Sequence, residues 1–201
     1  MEGSVVLLSG LIATIWITLG VYIAARFYPN YNHKTQFCSE LGAAGSPTEQ
    51  LSPLINNYPL GFLFCLFGWG VIESAHESLL LICVGWLIIV HGVGTWVAGF
   101  FPMDKDPYTT APSFNCQVHS YAGFFMLLSL LIAPTLVIFS QLEVWFRVFS
   151  GLCVVTACYY LYKMALAFKQ KANLVGLYQR LSYWIKLIWL ATLSIMLWVE
   201  S

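Results

Sequence analysis

Residues Ser78 to Phe101 read SLLLICVGWLIIVHGVGTWVAGFF, with no Asp, Glu, Lys or Arg. A run of this length and apolarity is long enough to cross the hydrocarbon core of a bilayer as a helix. Five further runs of the same kind accompany it: Val5 to Phe27, Leu54 to Ala75, Ser120 to Ser140, Val144 to Phe168 and Leu181 to Val199. None alternates apolar and polar residues as a barrel strand would, and a helix satisfies its own backbone groups in lipid. The expected fold class is therefore an all-α polytopic transmembrane bundle of six helices, with residues 1–201 forming one domain.

Composition agrees with this reading. Hydrophobic residues make up 59% of the chain and charged residues 9%, against roughly 25% charged in a soluble domain. Nine basic residues balance nine acidic ones, so the basic surface that nucleic-acid binding requires is missing. The first span follows Glu2 rather than a basic segment and ends at Arg26 without a small-residue cleavage site. It is expected to stay as an anchor and not to be removed as a signal peptide.

Six spans put both termini on one side. The loops after spans one, three and five hold or adjoin Arg26, Lys34, Lys105, Lys169, Lys171 and Arg180, with Lys163 and Lys186 within reach, whereas the other face has Arg147 alone. The excess of positive charge on cytoplasmic loops then places both termini outside the cytoplasm, in a bacterial cytoplasmic membrane. On the terminal side the turns are short, His76 to Glu77 and Gln141 to Glu143. The cytoplasmic loops, such as Tyr28 to Pro53 and Pro102 to Val118, are longer and rich in Gly, Pro, Asn and Ser. Long ordered loops tend to carry function.

Polar and ionisable residues gather toward that cytoplasmic side. Ser39 and Glu40 lie in the first loop, and Asn56 and Asn57 enter span two. Pro59 follows them, and its missing N–H frees a carbonyl one turn earlier. Asp104 follows span three, His119 opens span four, and Gln179 and Arg180 introduce span six. Three readings of this group are open. It is a structural network, for example Asp104 paired with Arg180; or a pocket in which Arg180 meets the phosphate or carboxylate of a lipid headgroup; or a catalytic site in which His119 and an acid act on Ser39 or a water.

Metal and cofactor signals are weak. The sequence has no HExxH, no CxxC and no histidine pair at helical spacing, so no cofactor is expected. Haem ligation needs two histidines at one level, yet His91 sits about 15 Å up span three at helical rise while His119 and His76 lie at opposite boundaries. His91, Thr95 and Gly99 share a helix face beside the small residues Gly92, Gly94 and Ala98. That pattern fits a histidine packed between helices better than a proton relay, which would need a second ionisable group at similar depth. Cys65, Cys83, Cys153 and Cys158 lie within spans as small hydrophobes, and Cys38 and Cys116 lie beside the polar group.

Taken together, Ser39-Glu40-Leu41-Gly42-Ala43 with Gly45-Ser46-Pro47, the asparagines and Gly61 of span two, Phe101-Pro102-Met103-Asp104, His119, and Gly176 with Gln179-Arg180 resemble the mainly bacterial six-span membrane family designated DUF998. The resemblance covers most of the chain in order and implies the six-span architecture and the importance of these residues as a set; it implies no activity. A more distant likeness to membrane hydrolases of the alkaline ceramidase kind breaks down in spans five and six, which contain no histidine. The expected role is binding of a lipid headgroup or small amphiphile through Ser39, Glu40, Asn57, Asp104, His119 and Arg180. The alternatives are a lipid hydrolase, a small transporter and a subunit that binds a membrane-protein partner or a second copy of itself.

Overall fold

A computed structural model describes residues 2–201, with side chains from Val5 onward. The helices are α1 (Glu2–Leu7), α2 (Ser9–Arg26), α3 (Tyr58–Ser74), α4 (Leu79–Phe100), α5 (Phe114–Ile138), α6 (Val144–Lys169) and α7 (Val175–Glu200). A 3₁₀ turn at Cys38–Gly42 lies in the first loop, and a π-helical turn at Pro53–Asn57 leads into α3. With α1 and α2 forming one span from Val5 to Arg26, six helices among the described residues are long and apolar enough to cross a membrane. The fold is all-helical and of the multi-pass membrane type. Large apolar side chains such as Trp16, Phe62, Trp86, Phe125, Val155 and Ile188 are exposed on its outer surface, as lipid-facing positions require.

Two of the six expected spans begin earlier than their apolar runs. The fourth starts at Phe114, so His119 lies inside α5 and not at its mouth. Ser113 caps this early start, its hydroxyl accepting from the Cys116 N–H. The sixth starts at Val175, which moves Gln179 and Arg180 from a loop into the first two turns of α7. Lys186 correspondingly moves inward, from the interface to about 16 Å from the start of that helix.

Helices α3 and α4 approach each other through glycine. A Cβ on Gly68 would stand 2.6 Å from the Gly85 carbonyl oxygen, and one on Gly85 would stand 2.6 Å from that of Gly68. One antiparallel step further along the same seam, a Cβ on Gly92 would lie 2.8 Å from the Gly61 carbonyl. Close backbone approach of this kind is how helices associate in lipid, where apolar side chains gain little by leaving a solvent as apolar as themselves. The seam fixes the height of everything further along it, including His91, Thr95 and Asn57.

Helix α7 forms the centre: half of its apolar stretch is buried, against 22% for α6. Hydroxyl groups tie it to its neighbours. Ser194 inserts into the break between α1 and α2, donating to the Leu7 carbonyl at 2.5 Å and accepting from the Leu11 N–H at 3.1 Å. It thus bridges the two groups that an unbroken helix would join directly, which is one recognised cause of a helix break. Thr14 donates to Leu187 O, and Trp189 Nε1 donates to Ser150 Oγ at 2.9 Å. The carbonyl that Pro59 frees, Ile55 O, accepts from Trp16 Nε1 at 2.8 Å.

The seam yields a direct contrast. Gly68→Ala and Gly85→Ala should each lower stability by about 1–3 kcal/mol, the usual cost of overpacking. Gly123→Ala should leave it nearly unchanged, because a Cβ there meets nothing within 4 Å. Thermal unfolding in mild detergent measures the difference.

Candidate functional site

A cavity of about 450 Å³ lies within the bundle, at the end that carries the long loops. This is within the range of small-molecule sites, roughly 300–1,000 Å³. Its lining comes from every span. Ile17 and Val21 of α2, Leu60 of α3, Met126 and Leu127 of α5, and Leu161 and Met164 of α6 make an apolar wall. Against it stand Ser39, Asn56, Asn57, His91, Thr95, His119, Gln179, Ser182, Tyr183 and Lys186. A polar patch enclosed by aliphatic side chains at membrane depth suits a molecule with one polar and one apolar end.

Of the six residues expected to form a site, Ser39, Asn57 and His119 line this cavity. Asn57 is held by its Nδ2, which donates to Thr95 O at 3.0 Å. His119 turns Nδ1 toward the carbonyls of Phe101 at 2.8 Å and Ala98 at 3.1 Å. Two acceptors facing one ring nitrogen place the proton there, leaving Nε2 as an acceptor. His119 therefore pins the start of α5 to the end of α4.

Glu40, Asp104 and Arg180 use their polar atoms to build the surrounding frame. Arg180 Nη1 donates to the carbonyls of His33 at 2.5 Å, Gln36 at 2.7 Å and Gly176 at 3.0 Å, while Nη2 donates to the Tyr31 hydroxyl at 2.6 Å. Leu177 N–H donates to Lys34 O, and the Cys38 N–H donates to Gln179 Oε1. The first loop is thus strapped onto α7. A Cβ on Gly176 would collide with Gln36 O, so the strap fits only over glycine. Glu40 is buried and accepts from the Phe37 N–H at 2.7 Å and from Gln36 Nε2 at 3.1 Å, holding the residue whose carbonyl Arg180 grips.

Asp104 does not meet Arg180. Its carboxylate accepts from the Ser113 hydroxyl at 2.6 Å and the Ser113 N–H at 2.8 Å, folding the third loop back onto the start of α5. These two hydrogen bonds favour the charged form and hold the carboxyl below its ordinary value. Burial, together with the adjacent Arg180 charge, lowers the pKa of His33. Burial raises the thiol of Cys38, a cavity-lining cysteine, above its ordinary value. Among the described residues no three His, Cys, Asp or Glu side chains come together as a metal set.

Helix α7 supplies what sequence reading missed. Ser182, Tyr183 and Lys186 follow Gln179 of the expected polar group at spacings of three, four and seven residues, so they form one stripe with it, and all four face the cavity. Lys186 is only 5% exposed. Its Nζ lies 5.6 Å from the centre of the Tyr183 ring, and among the described residues no carboxylate lines the cavity. His91 is packed between helices, as its neighbours imply: Nδ1 faces Met126 O at 3.0 Å, and Phe64 meets the ring edge-on. Yet it also has company at its depth, since Nε2 lies 3.4 Å from the Tyr183 hydroxyl. The polar stripe on α7 was the available signal, hidden by starting the span after Arg180.

Arg180→Met should cost on the order of 3 kcal/mol, because it leaves several loop carbonyls without their charged donor. Asp104→Ala should loosen only the third loop. Because the two side chains share no partner, the effects of the double substitution should add in thermal unfolding; a double mutant more stable than that sum would restore the ion pair.

The chain matches the family described as a protein of unknown function (DUF998) over residues 11–196. No curated protein and no solved structure matches it. A match of that extent, over a bundle whose family-like motifs frame one cavity, makes this chain a member of the DUF998 family.

Proposed function

We propose that this protein binds a small membrane amphiphile, a lipid or lipid-like molecule, with its polar end in the cavity and its apolar part toward α5 and α6. The observation that carries the reading is the cavity itself, a polar patch lined on its other side by aliphatic residues at the depth of lipid tails. Its form also supplies an entrance. The lining residues that are exposed, Ser120, Gly123 and Phe124, all lie on α5, and Leu161 and Met164 line it from α6. Gly123 is about 14 Å into α5 at helical rise, so the opening faces the side of the bundle and not a loop. Ser39, Asn57 and His119 serve in the wall, while Arg180, Glu40 and Asp104 hold that wall in place.

Binding is favoured over turnover by the way the histidines are held. A hydrolytic His119 would need a nucleophile hydrogen-bonded to its free Nε2, but its ring bonds run from Nδ1 to backbone carbonyls, and Glu40 and Asp104 are bonded elsewhere. The long-loop end, with Arg26, Lys34, Lys105, Lys169 and Lys171 against Arg147 at the other, is assigned to the cytoplasm of a bacterial cell.

Native mass spectrometry of protein released gently from detergent should show one small amphiphile per chain. Gly123→Trp, which fills open space at the entrance, should abolish that adduct while leaving the melting temperature within a few degrees. An empty wild-type protein, or an adduct indifferent to Gly123→Trp, would count against the proposal. For orientation, a C-terminal tag on intact cells should react only from outside; labelling that requires permeabilisation would reverse the topology.

A further inference from the structure

Lys186 and Ser182 are donors in the cavity wall that the protein leaves without hydrogen-bonded partners, and the Asn56 side-chain oxygen, an uncharged acceptor, is a third unanswered group there. Ser182 is 1% exposed, and its Oγ is buried with no hydrogen bond. Lys186 is 5% exposed, and among the described residues no protein group accepts from its Nζ. The two are four residues apart, one turn along the same face of α7, and both line the cavity. An ammonium at this depth is costly unless something compensates it, and a tyrosine face provides only part of that compensation. The other polar lining groups cannot supply the missing charge. His91 and His119 place Nδ1 against carbonyls, Asn57 donates to Thr95 O, and Gln179 accepts from the Cys38 N–H.

We infer that the ligand is a long-chain monocarboxylate, its two oxygens shared between the Lys186 ammonium and the Ser182 hydroxyl and its chain leaving past Gly123. This rests on the amphiphile reading and gives the ligand its chemical class. A carboxylate has the right charge, because one lysine neutralises one negative charge. A phosphate monoester would leave a second charge uncompensated in the bundle. It also has the right valence, since it accepts from two donors set one helical turn apart. The donors come from α7, the central helix, and the apolar wall comes from α5 and α6, so the head and the tail of the ligand are bound by different elements.

The test uses the full-length protein in nanodiscs and three probes of the same chain length: hexadecanoate, hexadecanol and hexadecyl phosphate. Hexadecanoate should bind at least about tenfold more tightly than the other two. Lys186→Met should erase that preference by weakening the acid about tenfold while leaving the alcohol unchanged, and Ser182→Ala should weaken the acid by a smaller factor. Removing a buried charge should not unfold the bundle, and the melting temperature checks this. If Lys186→Met fails to fold, the wild-type ranking of the probes and the Ser182→Ala result still decide the matter. Equal affinity for acid and alcohol would overturn the carboxylate assignment while leaving amphiphile binding intact, and tighter binding of the phosphate would overturn the charge argument. Failure of all three probes to bind would overturn both.

Discussion

A polar group inside a membrane bundle has no water to turn to, so its partners must come from the protein or from something the protein holds. Most of this structure is the working out of that constraint. The carbonyl that Pro59 leaves free is taken by Trp16, the gap between α1 and α2 is filled by the Ser194 hydroxyl, and the two terminal nitrogens of Arg180 are covered by backbone carbonyls and a tyrosine. Each of these contacts joins distant parts of the chain, which is why a bundle with so little polar surface holds a defined arrangement. Ser182 is left unanswered by the protein, as is the Asn56 side-chain oxygen, and both face the same cavity as the buried Lys186.

The division of labour among the spans follows from how each pair packs. Glycines 61, 68, 85 and 92 bring the backbones of α3 and α4 together and set the depth of His91 and Thr95. The strap from the first loop to α7, seated over Gly176, sets the position of the 3₁₀ turn that carries Cys38 and Ser39. By contrast α5 exposes Ser120, Gly123 and Phe124 beside the cavity. The bundle is therefore closed on the α2, α3, α4 and α7 side and open along α5, an asymmetry suited to a molecule that comes from the lipid.

Much of the architecture was legible in the sequence because apolar run length is a strong signal in membranes. The six spans, the packing role of His91 beside its small neighbours and the carbonyl freed by Pro59 all follow from local pattern. Long-range partners do not. Nothing near Arg180 announces that its donors will close on residues 31–36, and its charge invited a pairing with Asp104 that the loop geometry replaces with Ser113. Lys186 was misread for a related reason: hydropathy alone began the last helix after Arg180, which put the lysine within reach of the surface. Once α7 starts at Val175, the same residue lies about three turns into the helix and belongs to a polar stripe.

The most direct test of the account is a cryo-electron microscopy map of the protein purified from its native membrane, at a resolution that shows side chains. The account predicts one continuous elongated density that begins at Lys186 and Ser182 and leaves the bundle beside Gly123, between α5 and α6. A cavity filled only by separate waters, or α5 and α6 closed over Gly123 with no density within, would contradict it.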